Sequence, residues 1–108
     1  MVSKIKGTLV NLNMFSEILE SEKKVDEWQI EIRKKDNDPY EIDELIVYVS
    51  LAGDIDHQTV KENLNSRIQA AMEIIPNRII ILPHKEILER VEMETSSKVK
   101  RIIDLRPK

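Results

Sequence analysis

Trp28-Gln29-Ile30-Glu31-Ile32-Arg33, then Asp36-Asn37-Asp38-Pro39, then Leu45-Ile46-Val47-Tyr48-Val49-Ser50-Leu51 is the stretch on which the fold turns. In the first segment Trp28, Ile30 and Ile32 alternate with Gln29, Glu31 and Arg33, the period of a strand with one apolar and one wet face. The middle segment is rich in side chains that bond their own backbone, and proline holds φ, so it reads as a hairpin connection. The acids in and close to it do not make a calcium loop, because the glycine and terminal glutamate that such a loop needs are not at their positions. The last segment is apolar on both sides, with Leu45, Val47, Val49 and Leu51 on one face and Ile46 and Tyr48 on the other, which predicts a central strand.

Outward from this hairpin the pattern changes to helical spacing on both sides. Upstream, Phe15, Ile18 and Leu19 share a face behind a cap at Asn11 or Asn13, and the helix ends near Glu22. Downstream, Asp54 or Asp56 caps a long helix whose stripe is Val60, Leu64, Ile68, Ala71, Met72 and Ile75, closed by Pro76-Asn77. Ile79-Ile80-Ile81-Leu82, bounded by Pro76 and Pro83, reads as a short buried strand. Pro83 to Leu88 opens a loop or single helical turn, and Val91 and Met93 alternate weakly after it. At the other end Lys4 to Val10 reads as a short strand interrupted by Gly7, where glycine marks a bulge, a positive φ or a close approach of backbone or ligand. The order strand-helix-strand-strand-helix-strand predicts an α+β fold: a small ferredoxin-like sandwich, its mostly antiparallel sheet carrying two helices on one face.

Composition narrows the chemistry. The chain has 108 residues, 41% hydrophobic and 34% charged, consistent with one globular domain. It lacks an apolar run long enough to cross a bilayer and a signal-peptide pattern at its start, so a cytoplasmic location is expected, with no membrane partner. No cysteine is present, which removes disulfides, thiolate catalysis and zinc thiolate sites. A net charge of −3 argues against a general nucleic-acid surface. There is no glycine-rich phosphate loop, no Ser/His/Asp arrangement and no histidine-carboxylate cluster at metal spacing, so no metal site is expected, and His57 reads as exposed and structural. Trp28 and Phe15 read as core. With no pocket of its own, such a domain can still lend one charged group to a site built elsewhere.

The tail is where that group is sought. Thr95-Ser96-Ser97 hands over to Lys98, Lys100 and Arg101, which run into the anchoring pair Ile102-Ile103. On charge pattern alone this is a solvated basic end. Ser97-Lys98-Val99-Lys100-Arg101-Ile102-Ile103-Asp104-Leu105-Arg106, however, resembles the C-terminal signature of phenylacetate-CoA ligases, members of the adenylate-forming acyl-CoA synthetases. Lys4-Ile5-Lys6-Gly7-Thr8-Leu9-Val10 is similar to the segment that follows the interdomain hinge in these enzymes, and Trp28-Gln29-Ile30 to an aromatic-Gln-Ile strand. The sequence departs from the family pattern at Ser97, where glycine is usual, at Leu12, where proline is usual, and at Ser16, where glutamate is usual.

The resemblance implies that residues 1–108 are a single C-terminal domain, with the large ATP- and acid-binding domain outside this sequence. It implies a part in phenylacetate catabolism: phenylacetate, ATP and coenzyme A giving phenylacetyl-CoA, AMP and diphosphate, in an acid-thiol ligase that also needs Mg2+. It further implies that Lys98 is the adenylation lysine, that the Gly7 backbone lines the pantetheine channel, and that Ser97 and Arg101 support Lys98. Its partners would be the large N-terminal domain and the substrates, with an oligomer possible. The domain alone would bind none of the cofactors and catalyse nothing. The competing expectation is a standalone binding or dimerisation module of ferredoxin-like fold with no catalytic role.

Overall fold

The hairpin forms as its sequence predicts. The computed structural model describes residues 2–91 and 101–107, and in it β3 (Val25–Lys34) pairs antiparallel with β4 (Asp43–Leu51) in a register that sets Trp28 opposite Val49, Ile30 opposite Val47 and Ile32 opposite Leu45. The connection contains a short 3-10 turn, Lys35–Asn37, in which Asp36 and Asn37 take positive φ, a conformation that Asn and Asp tolerate better than most residues. β5 (Arg78–Ile81) adds parallel to β4, and β6 (Ile102–Asp104) adds parallel to β3, giving a four-stranded sheet of order β5-β4-β3-β6. The central pair is therefore antiparallel and both edges are parallel. The parallel β4–β5 pair requires a long crossover, and α2 (His57–Met72) supplies it.

The opening stretch is a hairpin of its own. β1 (Val2–Ile5) and β2 (Thr8–Asn11) pair antiparallel, with Ile5 opposite Thr8, so Lys6-Gly7 is a two-residue turn. Lys6 has φ 53° and Gly7 φ 80°, the type I′ geometry that matches strand twist and requires two positive φ angles. Of the readings left open for Gly7, the positive φ is the one realised. α1 (Leu12–Ser21) follows at once, capped by Asn11, whose Oδ1 accepts from the amides of Asn13 and Met14. Asp56 caps α2 in the same way through the Thr59 amide.

These elements make an α+β sandwich with α1 and α2 on one face of the sheet. Phe15 and Leu19 of α1 and Val60, Leu64 and Ile68 of α2 pack with Ile30, Ile32, Leu45, Val47 and Val49, and Ile5 and Val10 bring the N-terminal hairpin into the same core. The predicted order is followed from the first hairpin to β5. In α2 the stripe is Val60, Leu64, Ile68 and Met72; Ala71 falls off this i, i+4 row and is exposed, and Ile75 is exposed because the helix stops at Met72 and the chain turns at Glu73 in a left-handed conformation.

The structure also corrects the reading after β5. Residues 83–91 form more than a single turn: α3 (His84–Val91) is a full helix lying on the opposite face of the sheet, where Ile87 and Val91 pack on Ile46 and Tyr48. The face of β3 read as wet is therefore covered. Gln29 is 0% and Glu31 7% exposed. Their polar groups stay paired under α3: Gln29 Nε2 donates to the Arg90 carbonyl, Arg90 Nε donates to Gln29 Oε1, and Tyr48 donates from its hydroxyl to Glu31 Oε2 at 2.9 Å. The Arg90 guanidinium also lies 3.8 Å from the Tyr48 ring centroid. Burial and the Glu31 hydrogen bond raise the Tyr48 pKa, so the hydroxyl remains a donor. A polar strand face under a helix is tolerated because each group finds a partner there.

Candidate functional site

The tail is built onto the sheet by its backbone. Ile30 N–H donates to the Arg101 carbonyl and Leu105 N–H to the Ile32 carbonyl, both at 2.7 Å, which brackets β6 on β3. Ile102 packs against the main core, so the anchor expected from the apolar pair is present. Arg101 is committed to this junction. Its Nη1 donates to the Trp28 carbonyl at 2.9 Å, its Nη2 is ion-paired with Glu27, and its guanidinium lies 5.3 Å from the Trp28 ring centroid. Trp28, in turn, is 4% exposed and donates from its indole to Glu20 Oε1. Trp28 thus caps the core, as its sequence context predicts, and also provides the platform for Arg101.

Lys98 and Ser97 lie outside the described residues, in the segment 92–100. What the structure does give is its two flanks. On one side Val91 is buried under α3, and on the other Arg101 is held by Trp28 and Glu27.

Gly7 sits elsewhere. Its turn borders a cleft of about 440 Å³ lined by Lys6, Gly7, Lys34, Ile42, Asp43 and Asn77. A Cβ placed on Gly7 would meet nothing within 4 Å, so the glycine is required by its φ and not by crowding. Lys34 lies six residues beyond Trp28 along β3, roughly 20 Å at the strand rise. The Gly7 turn and the Arg101 junction therefore stand at opposite ends of one strand.

At the Gly7 end of β3 the first strand and the tail are tied together by residues whose partners the sequence does not show. Asp43 Oδ2 accepts from the Lys6 amide at 2.8 Å, and Asp43 Oδ1 is ion-paired with Lys34 at 2.8 Å. Arg106 reaches the same carboxylate at 3.3 Å, donates to the Lys4 carbonyl and to Ser3 Oγ, and makes three hydrogen bonds to Asp104, two from the guanidinium and one from the backbone amide. Burial works against the Asp43 charge, yet Lys34, the Lys6 amide and Arg106 together hold its carboxyl below the usual carboxylate range. Burial, only partly offset by Glu44 and Asp43, lowers the Lys6 pKa, and Lys6 Nζ donates to the Ile75 carbonyl. Arg106 closes the signature segment that contains Lys98, but its partners Ser3 and Lys4 are about a hundred residues away in sequence, and Asp43 is 63 away. No local spacing reveals them.

Among the described residues no group of three or more His, Cys, Asp and Glu side chains could hold a metal ion. His57 is exposed at the start of α2, and His84 pairs with Asp26 at 2.6 Å. No helix among the described residues is long and apolar enough to cross a membrane.

No protein-family model matches the sequence, and no curated protein does. Among solved structures the chain is similar to a domain of phenylacetate-coenzyme A ligase from Bacteroides vulgatus ATCC 8482, with a TM-score of 0.73 and 18% sequence identity over 98% of this chain and 93% of that one. The resemblance read from the tail and the opening thus has a counterpart in three dimensions: the chain has the fold of a solved domain of that ligase.

Proposed function

We propose that the chain serves as the small C-terminal domain of an aryl-CoA ligase and contributes to each half-reaction from a different end. The observation that carries this reading is the fold likeness to a phenylacetate-CoA ligase domain along almost the whole chain. The tail signature, which runs into a strand of that fold, supports it. In the first half-reaction phenylacetate attacks the α-phosphate of ATP, forming the acyl adenylate and releasing diphosphate. The Lys98 ammonium stabilises the negative charge that redistributes between carboxylate and phosphate, a contribution of roughly 2.7–4 kcal/mol for a preorganised donor. In the second, the thiol of coenzyme A attacks the acyl carbon and AMP leaves. The Gly7 turn then borders the pantetheine arm. Arg101, three residues after Lys98, and the Gly7 turn stand at opposite ends of β3, and a rotation of the rigid domain between half-reactions brings each half-reaction's group to the site in turn. ATP, Mg2+ and the aryl acid are bound by the large domain, and the small domain alone is inactive.

The test is made in the complete ligase that carries this sequence. Lys98→Ala slows pyrophosphate exchange by about a hundredfold or more and leaves thioester formation from preformed acyl adenylate largely intact. Gly7→Trp has the opposite profile. Equal losses in both half-reactions for Lys98→Ala refute the role. Loss in neither returns the chain to the other reading, a standalone binding or dimerisation module.

A further inference from the structure

β5 spends one edge on β4, and among the described residues no strand pairs with the other. An open strand edge offers a row of backbone donors and acceptors to an incoming segment. Beside this edge, α2 and β5 enclose a groove of about 440 Å³ whose lining includes His57, Lys61, Asn65, Asn77 and Arg78. Among the described residues no carboxylate lines it, although the chain as a whole has a net charge of −3. Asn65, which lines the groove, has a buried Oδ1 that no donor among the described residues reaches. A second, more apolar hollow of about 310 Å³ shares His57 and Ile81 with the groove and is lined also by Asp54, Ile55, Leu82 and Pro83.

We infer that the outer edge of β5, together with the α2 side chains beside it, binds an extended acidic segment of a separate protein by strand addition. Backbone pairing along Arg78–Ile81 supplies affinity. A carboxylate between Lys61 and Arg78 supplies selectivity, and an aliphatic side chain roughly four residues further along the same strand face fills the second hollow. A second copy of this chain is a poor occupant, because in antiparallel pairing of two β5 edges Arg78 of one faces Ile81 of the other, and the strand Arg78–Ile81 offers no carboxylate to Lys61 and Arg78. The inference does not depend on the ligase reading.

The test uses the 108-residue chain and short strand peptides in which Glu alternates with Val, followed by amide NMR. The Glu-Val peptide shifts the resonances of residues 78–82 and of Lys61 and Asn65. A Lys-Val peptide binds at least about tenfold more weakly, and the double variant Lys61→Glu/Arg78→Glu inverts that preference. Methylating alternate amides on the pairing edge of the Glu-Val peptide abolishes binding, which separates strand addition from loose ionic attraction. Unchanged unfolding midpoints for the variant exclude misfolding as the cause. The inference is overturned by the absence of shifts at millimolar peptide, by equal binding of the two peptides, by shifts centred away from β5, or by concentration-dependent shifts of residues 78–82 without peptide, which would mark a second copy as the occupant.

Discussion

Replacing Arg106 tests how the tail is held. The guanidinium makes five contacts: to the Lys4 carbonyl at 2.5 Å, Ser3 Oγ at 2.8 Å, Asp43 Oδ2 at 3.3 Å, and Asp104 through two hydrogen bonds at 2.8 and 3.0 Å. They differ in worth. The Asp104 side chain is 43% exposed and is resolvated when Arg106 is removed, so that pair contributes at most about 1 kcal/mol. The bonds to Lys4 and Ser3 are charge-assisted and join residues at opposite ends of the chain, and bonds to charged groups contribute about 1.5–3 kcal/mol each, without being additive. Asp43 is 10% exposed at its side chain but keeps Lys34 and the Lys6 amide, which limits the penalty of the lost partner. Arg106→Ala is therefore expected to cost about 2–3 kcal/mol, roughly a 30- to 160-fold change in the folding equilibrium. Arg106→Lys, with a single ammonium in place of a planar fork, recovers less than about half of that. Urea unfolding followed by the fluorescence of Trp28, the one tryptophan, measures both. A double-mutant cycle with Ser3→Ala isolates a coupling of about 0.5–1 kcal/mol. The reasoning fails if Arg106→Ala lies within about 0.5 kcal/mol of the parent, or if lysine restores full stability.

Three further outcomes follow from the same structure. The Asp43 carboxyl titrates lower in the folded chain than in the unfolded one, so its contribution is present above the ordinary carboxylate value and is lost as pH falls through the folded value; urea midpoints measured from about pH 6 to pH 2 should fall less steeply in Asp43→Asn than in the parent. Gly7→Ala meets no neighbour but must hold a positive φ, and is expected to cost about 1 kcal/mol by urea unfolding; a neutral result would mean that the turn is not type I′ in solution. Ile87→Ala removes a fully buried side chain from the small cluster under α3 and is expected to cost about 2–3 kcal/mol, with faster amide exchange in residues 84–91, whereas a loss below about 1 kcal/mol would show that α3 is not packed on the sheet.

The parts of this protein that sequence alone determined are those set by local chemistry. Period-two alternation in Trp28–Arg33 and Leu45–Leu51 specified the hairpin, and the Asp36-Asn37-Asp38-Pro39 run specified its turn. Helical spacing behind Asn11 and Asp56 specified α1 and α2, because a cap and an apolar stripe suffice when one core face is available. Lys98 and Gly7 were legible only through patterning and resemblance, and Lys98 falls outside the described residues. The tertiary structure decided what depends on distant partners. The eight-residue α3 has too short an apolar stripe to announce itself, and its place on the sheet shows only when Ile87 and Val91 meet Ile46 and Tyr48. Gln29 and Glu31 looked like a wet face, since polarity records a side chain's need for partners and not whether water or Arg90 and Tyr48 will meet it. Asp43 and Arg106 are ordinary charges in sequence. Their connection exists because folding brings the first strand, the hairpin turn and the tail to one point, where burial turns exposed charges into a tie between the two ends of the chain.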